Sequence, residues 1–292
     1  ISTAVGAFAA IKADGSVVTW GRYSSGGNSS LVSDQLTDVR FISGSDSAFA
    51  ALRGDGSVVT WGDPEYGGDS SGVADQLFDV RSISATAHAF AAIKSDGSVV
   101  TWGGSSEGGD SRRVADQLSD VQSISATYGA FAAIKTDGSV VTWGQTYYGG
   151  NHSSAINDKL TSVQSILSTH AAFAAIKADG SVVTWGRSFD GGNSSAVEDK
   201  LTNVKSISAA YSAFAAIKED GSVVLWGYTF SEGDDNYSVV DQLMDVESIS
   251  ANWRAFAAKK ADGSVVTWGP YTSGGLLSDT SKLAPGGIAI LK

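Results

Sequence analysis

Three histidines, His88, His152 and His170, are the side chains best suited to proton transfer near neutral pH. Each would need a nucleophile and an orienting carboxylate beside it, and serines and acids are plentiful. No segment, however, reads as the sharp strand-to-helix turn that presents a nucleophilic serine. The histidines also stand in unlike contexts, and with no cysteine in the chain they form no zinc set by spacing. Asp-Gly-Ser and Gly-Gly-Asp-Ser-Ser segments offer hard oxygen ligands, but none has the alternating acidic spacing of a calcium loop. The densest acidic cluster, Glu232 with Asp234-Asp235, reads as a solvated loop. The expectation is a chain that is not an enzyme, with no catalytic residue, no metal and no cofactor.

Recognition chemistry is better represented. Within the chain, two short windows differ between copies of an otherwise near-constant pattern. The first follows a Trp-Gly pair and reads YSS, PEY, TYY, SFD, YTFSE or PYTS; it carries Tyr23, Tyr66, Tyr147, Tyr148, Phe189, Tyr228, Phe230 and Tyr271. The second precedes an Ala-Phe pair and carries His88, Tyr128, His170, Tyr211, Trp253 and Arg254. Tyrosine, tryptophan and arginine are the usual anchors of protein interfaces, because they bury a large area and keep a polar tip. For any one loop aromatic, shielding the rim of a sheet is the commoner role; the concentration of rings is what points to binding.

The elements that must hold these windows follow from the repeat. The segment AFAAIKADGSVVTWG at 7–21 returns six more times, with its tryptophan at Trp20, Trp61, Trp102, Trp143, Trp185, Trp226 and Trp268, spaced by 41, 41, 41, 42, 41 and 42 residues. AFAAIK and SVVTW are short β-prone segments around an Asp-Gly turn, which predicts a hairpin. A Gly-rich stretch follows, then an alternating segment such as VRSISA at 80–85, which predicts a third strand. Three strands cannot bury both their faces alone, whereas seven such sheets packed around an axis cover one another. The chain is therefore read as all-β: a seven-bladed β-propeller of seven ~41-residue repeats, about three strands per blade, in one domain over 1–292.

The repeated phenylalanines (Phe8, Phe49, Phe90, Phe131, Phe173, Phe214, Phe256) and tryptophans are expected to pack between blades, with neighbouring alanines admitting close approach. The terminal 288–292 is expected to close the ring against the first hairpin. If the Asp-Gly turns mark one end of each blade, both variable windows emerge at the other. The turn end then carries Lys12, Arg53, Lys94, Lys135, Lys177, Lys218 and Lys260 as a solvated ring.

Composition agrees with a packed, non-membrane chain. Of 292 residues 42% are hydrophobic and 17% charged, and no apolar run is long enough to span a bilayer. The net charge of −11 opposes contact with phosphate backbones, so nucleic acid is not an expected partner. The chain starts at Ile1 rather than Met, which leaves a removed leader and a longer product both open. Asn28, Asn151, Asn193 and Asn236 each open an Asn-x-Ser sequence; alternation with Asp69 and Asp110 points to turn capping, and in an extracellular or lumenal setting these sites would be open to glycosylation.

The run of hydrophobic strand, Asp-Gly turn, VxxWG, glycine pair and returning strand resembles the repeat of the regulator of chromosome condensation family along the whole chain. Its compact unit is most similar to the beta-lactamase inhibitor protein II branch, with Gly-Gly here in place of the usual Gly-Gln after Trp-Gly. The resemblance implies a seven-bladed propeller that binds proteins through one face. By position in the second window it nominates Tyr128, Tyr211 and Trp253 as contacts, with Arg254, Tyr66, Tyr147, Tyr148, Phe189, Tyr228 and Phe230 on the same face. The nucleotide-exchange activity of the chromosome-associated members is not carried over, since this chain is acidic and has no wedge-like insertion. The expected function is a protein-interaction or scaffolding module with a protein partner, as an accessory subunit of a larger assembly. A sugar-binding propeller with a glycan ligand, and a structural surface or matrix repeat, are the alternatives.

Overall fold

The computed structural model describes residues 1–151, 153–228 and 239–275, and of Tyr271 the backbone alone. His152, Phe230, the acidic cluster at 232–235, Asn236 and the terminal 288–292 lie outside the described residues. Seven three-stranded antiparallel sheets account for the strands. In chain order they are blade 1 (Ser2–Ala4, Ala7–Ile11, Val17–Gly21), blade 2 (Val39–Gly44, Ala48–Arg53, Val58–Gly62) and blade 3 (Val80–Ala85, Ala89–Lys94, Val99–Gly103). Blade 4 holds Val121–Ala126, Ala130–Lys135 and Val140–Gly144, and blade 5 Val163–Ser168, Ala172–Lys177 and Val182–Gly186. Blade 6 holds Val204–Ala209, Ala213–Lys218 and Val223–Gly227, and blade 7 Val246–Ala251, Phe256–Lys260 and Val265–Trp268. This is the blade set of a seven-bladed β-propeller. The chain divides into two compact units, Ile1–Thr161 with blades 1 to 4 and Ser162–Lys292 with blades 5 to 7.

The returning strand of each repeat joins the hairpin that follows it: Val80–Ala85 pairs with Ala89–Lys94, its Ser84 opposite Ala91. The boundary between blades therefore falls in the Gly-rich loop, because only a three-residue turn, 86–88, separates the two strands. Ser2–Ala4 is the same strand for blade 1, where the repeat has no preceding hairpin to reveal it.

Each blade carries its phenylalanine opposite its tryptophan, and the two rings stack, at 5.2 Å between centroids for Phe49 and Trp61. In blades 2, 3, 4, 6 and 7 the stack leans on the preceding blade. Phe49, Ala51, Val59 and Trp61 share a core with Ala7, Ala9, Leu36, Val39 and Ile42, and the pattern recurs between blades 2 and 3, 3 and 4, 5 and 6, and 6 and 7. The alanines lie against the ring stack as expected, and Trp61 Nε1 donates to the Gly26 carbonyl at 3.0 Å. Gly26 has φ +86°, and a Cβ there would come 2.7 Å from Phe49 Cδ2, so the position takes only glycine. Phe8 and Trp20 of blade 1 also stack, but they stand 41% and 42% exposed.

At the hairpin end, Asp14 Oδ1 accepts from Ser16 N at 2.9 Å and from Ser16 Oγ at 2.6 Å. The same Asx turn forms at Asp55, Asp96, Asp137, Asp179, Asp220 and Asp262. The Gly15 carbonyl then accepts from Val39 N at 2.9 Å, stitching blade 1 to blade 2. Asn28 and Asn193 cap their loops in the same way as Asp69 and Asp110, by accepting from the backbone N–H two residues on. Among the described residues no helix is long and apolar enough to cross a membrane.

Two outcomes are expected. Phe131→Ala removes a fully buried ring and should cost about 3–5 kcal/mol in urea unfolding. The serine hydrogen bonds hold the seven turn carboxylates below the ordinary aspartate pKa. Their contribution is therefore complete above the unfolded-state value and is lost as pH falls through the lower folded-state values. The thermal midpoint should hold down to about pH 5 and fall below about pH 4, and Asp96→Asn should shrink that fall; a midpoint flat to acid would contradict it.

Candidate functional site: the aromatic turn face

The two variable windows meet at the end of the blade opposite the Asp-Gly turns, where in blades 2, 3, 4, 5 and 7 a side chain of the strand turn donates to a backbone carbonyl of the window after Trp-Gly. Ser45 Oγ of the strand turn donates to the Tyr66 carbonyl at 2.8 Å, Thr86 Oγ1 to Glu107 O at 3.1 Å, Thr127 Oγ1 to Tyr148 O at 2.9 Å, and Thr169 Oγ1 to Asp190 O at 2.9 Å. Asn252 Nδ2 does the same to Ser273 O at 2.8 Å. Four of the five acceptors close a short 3₁₀ turn, Pro64–Tyr66, Thr146–Tyr148, Ser188–Asp190 and Tyr271–Ser273, and Glu107 lies within the π turn Ser105–Gly109. The same Ser or Thr oxygen accepts from the backbone three residues on, as in Ala130 N to Thr127 Oγ1 at 3.1 Å. One hydroxyl thus fixes both windows to the strand end.

Neighbouring strand turns are joined by backbone hydrogen bonds. Val5 N donates to Asp46 O, Asp46 N to Ala87 O and Ala87 N to Tyr128 O in the first unit, at 2.8, 2.9 and 2.9 Å. In the second, His170 N donates to Tyr211 O and Tyr211 N to Trp253 O, both at 2.9 Å. Val5, Asp46, Ala87, Tyr128, His170, Tyr211 and Trp253 are therefore one repeat position. His88 and Arg254 occupy the next.

The rings assemble into three clusters. In the first unit Tyr66 and His88 lie 4.3 Å apart, His88 and Tyr128 5.9 Å, Tyr128 and Tyr148 5.3 Å, and Tyr148 and Tyr147 5.0 Å, forming a continuous wall. In the second, His170 stacks on Tyr211 at 4.3 Å and Tyr211 meets Trp253 edge-on at 5.4 Å. Separately, Phe189 stacks on Tyr228 at 4.1 Å, with the Arg187 guanidinium 5.2 Å from the Phe189 ring. Arg187 Nη1 also lies 3.3 Å from the buried carboxylate of Asp190. Trp253 is 68% exposed and Tyr128 36%.

Tyr128, Tyr66, Tyr147 and Tyr148 are thus brought together in one unit, and Tyr211 with Trp253 in the other, while Phe189 and Tyr228 form a pair of their own. Sequence reasoning missed Asp46, Arg187 and Asp190. Asp46 occupies the Tyr128 position, a signal available from repeat alignment. A cavity of about 340 Å³ opens among the strand turns of blades 1 to 4, lined by Val5, Asp46, Thr86, Ala87, Thr127 and Tyr128 among others. Burial, then the Asp46 charge, pushes the Tyr128 phenol above the ordinary tyrosine range, and the two side chains share a hydrogen bond. Among the described residues no group of three acids or histidines is placed to hold a metal ion.

With this geometry in view, the chain can be set beside known proteins. No family model and no curated protein matches the chain. Among solved structures, the ectodomain of the receptor kinase CR4 from Physcomitrella patens is 16% identical, over 92% of this chain and 72% of its own, with a TM-score of 0.49. The CRINKLY WD40 ectodomain of the receptor kinase ACR4 from Arabidopsis thaliana is 18% identical, over 95% of each chain, at 0.48. Prp20p from Saccharomyces cerevisiae is 15% identical, over 95% of this chain and 74% of its own, at 0.49. Yeast RCC1 (Prp20) is also among the structures similar to this chain. The blade count comes from this chain's own seven sheets.

The hydroxyl tie is open to test. Thr127→Val leaves the Ala130 N–H and the Tyr148 carbonyl without their partner and should cost about 1–3 kcal/mol in urea unfolding, whereas Thr127→Ser should be near neutral because Ser45 makes the same bonds in blade 2.

Proposed function

We propose that the chain is a non-enzymatic protein-interaction module that docks a protein partner on its aromatic turn face, as an accessory subunit of a larger assembly. The observation that carries this reading is the contrast within each blade. Strands, stacked Phe–Trp pairs and stitching bonds repeat almost unchanged, while the side chains held above the hydroxyl ties vary and are rich in rings. Rigid aromatics on a fixed scaffold lose little conformational entropy on binding and bury much area. Tyr128, Tyr211 and Trp253, at one repeat position, are the proposed anchors; Arg254, Tyr66, Tyr147, Tyr148, Phe189 and Tyr228 flank them, and Phe230 belongs to the same window by sequence. His88 and His170 are engaged in ring contacts, which suits recognition better than proton transfer.

Prp20p is described with binding properties toward Gsp1p and histones. That describes Prp20p; the reading here stands on this chain's own turns. A glycan-binding propeller would present one open ring face per blade. Here faces are turned on one another, at 4.3 Å for Tyr66–His88 and His170–Tyr211 and 4.1 Å for Phe189–Tyr228, which favours a protein partner.

The test is affinity capture from native extract with the parent chain beside a folded variant carrying Tyr128→Ala, Tyr211→Ala and Trp253→Ala. Partners held by the parent and lost by the variant are expected; identical captures would discard the aromatic face and return weight to a glycan or structural role. We also propose that residues 1–292 act as a single propeller domain. Urea unfolding should then be a single cooperative transition, and two separate transitions would contradict it.

A further inference from the structure

The cavity among the strand turns of blades 1 to 4 has a chemistry of its own. Its backbone donors are already engaged: Val5, Asp46 and Ala87 give their N–H groups to the next turn's carbonyl. Its hydroxyl donors are engaged as well, Ser45 with Tyr66 O, Thr86 with Glu107 O and Thr127 with Tyr148 O. Tyr128 and the Asp46 carboxylate share a hydrogen bond. What these groups offer an incoming molecule is acceptors, the turn carbonyls and the Asp46 carboxylate, since neither kind of oxygen can donate. Beside it stands the ring wall of Tyr128, Tyr148 and His88, whose centroids follow at 5.3 and 5.9 Å. A volume of about 340 Å³ takes one long side chain, being at the lower end of the range for ligand pockets, roughly 300–1,000 Å³.

From this donor-saturated, acceptor-rich cavity with an aromatic flank we infer that it receives the guanidinium of an arginine projecting from the protein partner. The inference rests on the docking reading above. Arginine fits better than lysine because its planar fork can pair with a carboxylate through two N–H groups while its face lies on a tyrosine ring. It also fits better than a bare metal ion, since the cavity supplies a single carboxylate. The net charge of −11 adds long-range attraction for a basic partner surface.

The test uses the intact ¹⁵N-labelled chain and two small probes, N-acetyl-arginine methylamide and its uncharged isostere N-acetyl-citrulline methylamide. Saturable shifts of the Asp46, Ala87 and Tyr128 amides are expected with the arginine probe, with affinity at least about fivefold weaker for citrulline and about fivefold weaker in Asp46→Asn. No saturable shift, equal affinity for citrulline, an unchanged Asp46→Asn titration, or shifts spread along exposed acids elsewhere would each overturn the assignment. The citrulline comparison needs no variant, so it holds even if Asp46→Asn disturbs the turn. Arginine binding beside unaltered capture by the triple-alanine chain would keep the cavity and remove the docking reading; lost capture without arginine binding would do the reverse.

Discussion

The structure depends on one contact: a tryptophan that stacks on the phenylalanine of its own hairpin and donates its indole N–H to a glycine carbonyl in the loop of the blade before it. Trp61 reaches Gly26, Trp102 Gly67, Trp143 Gly108 and Trp226 Gly191, each 35 residues back, at 3.0 to 3.1 Å. Each contact buries two large rings and satisfies a polar group that would otherwise be costly in the core. Because the loop glycine lies against the phenylalanine with no room for a Cβ, the two blades pack at close range. That spacing puts successive strand turns at hydrogen-bond distance.

The turn face inherits this regularity. The turn-to-turn bonds use backbone groups alone, and hydroxyl ties at Ser45, Thr86, Thr127 and Thr169 hold the turns they join, so the side chain above each turn can change without altering the scaffold. Val5, Asp46, Ala87 and Tyr128 share one backbone setting yet differ in size, charge and polarity. Such a division between constant frame and variable surface is how repeat proteins build recognition surfaces.

Much of this was legible in the sequence. The tryptophan spacing gave the blade count, the Asp-Gly turns gave the hairpins, and the position of both windows at one end followed from strand direction. The partnership of the returning strand was not marked, because VRSISA at 80–85 alternates equally well beside either hairpin and only the length of the turn at 86–88 decides. Nor could pattern show which rings touch. Tyr66 and His88 lie in different blades and different windows, and their 4.3 Å contact follows from three-dimensional spacing. Asp46 is marked in the sequence only by its register with Ala87 and Tyr128, because an isolated loop carboxylate carries no pattern of its own.

The most direct measurement of the central claim is hydrogen–deuterium exchange of the chain with and without a partner recovered by capture. The account predicts added protection in the strand turns and 3₁₀ turns, at 63–67, 86–89, 127–130, 145–149 and 187–191, with the Asp-Gly turns unchanged. Protection centred instead on the Asp-Gly turns, or along the third strands of the blades, would contradict it.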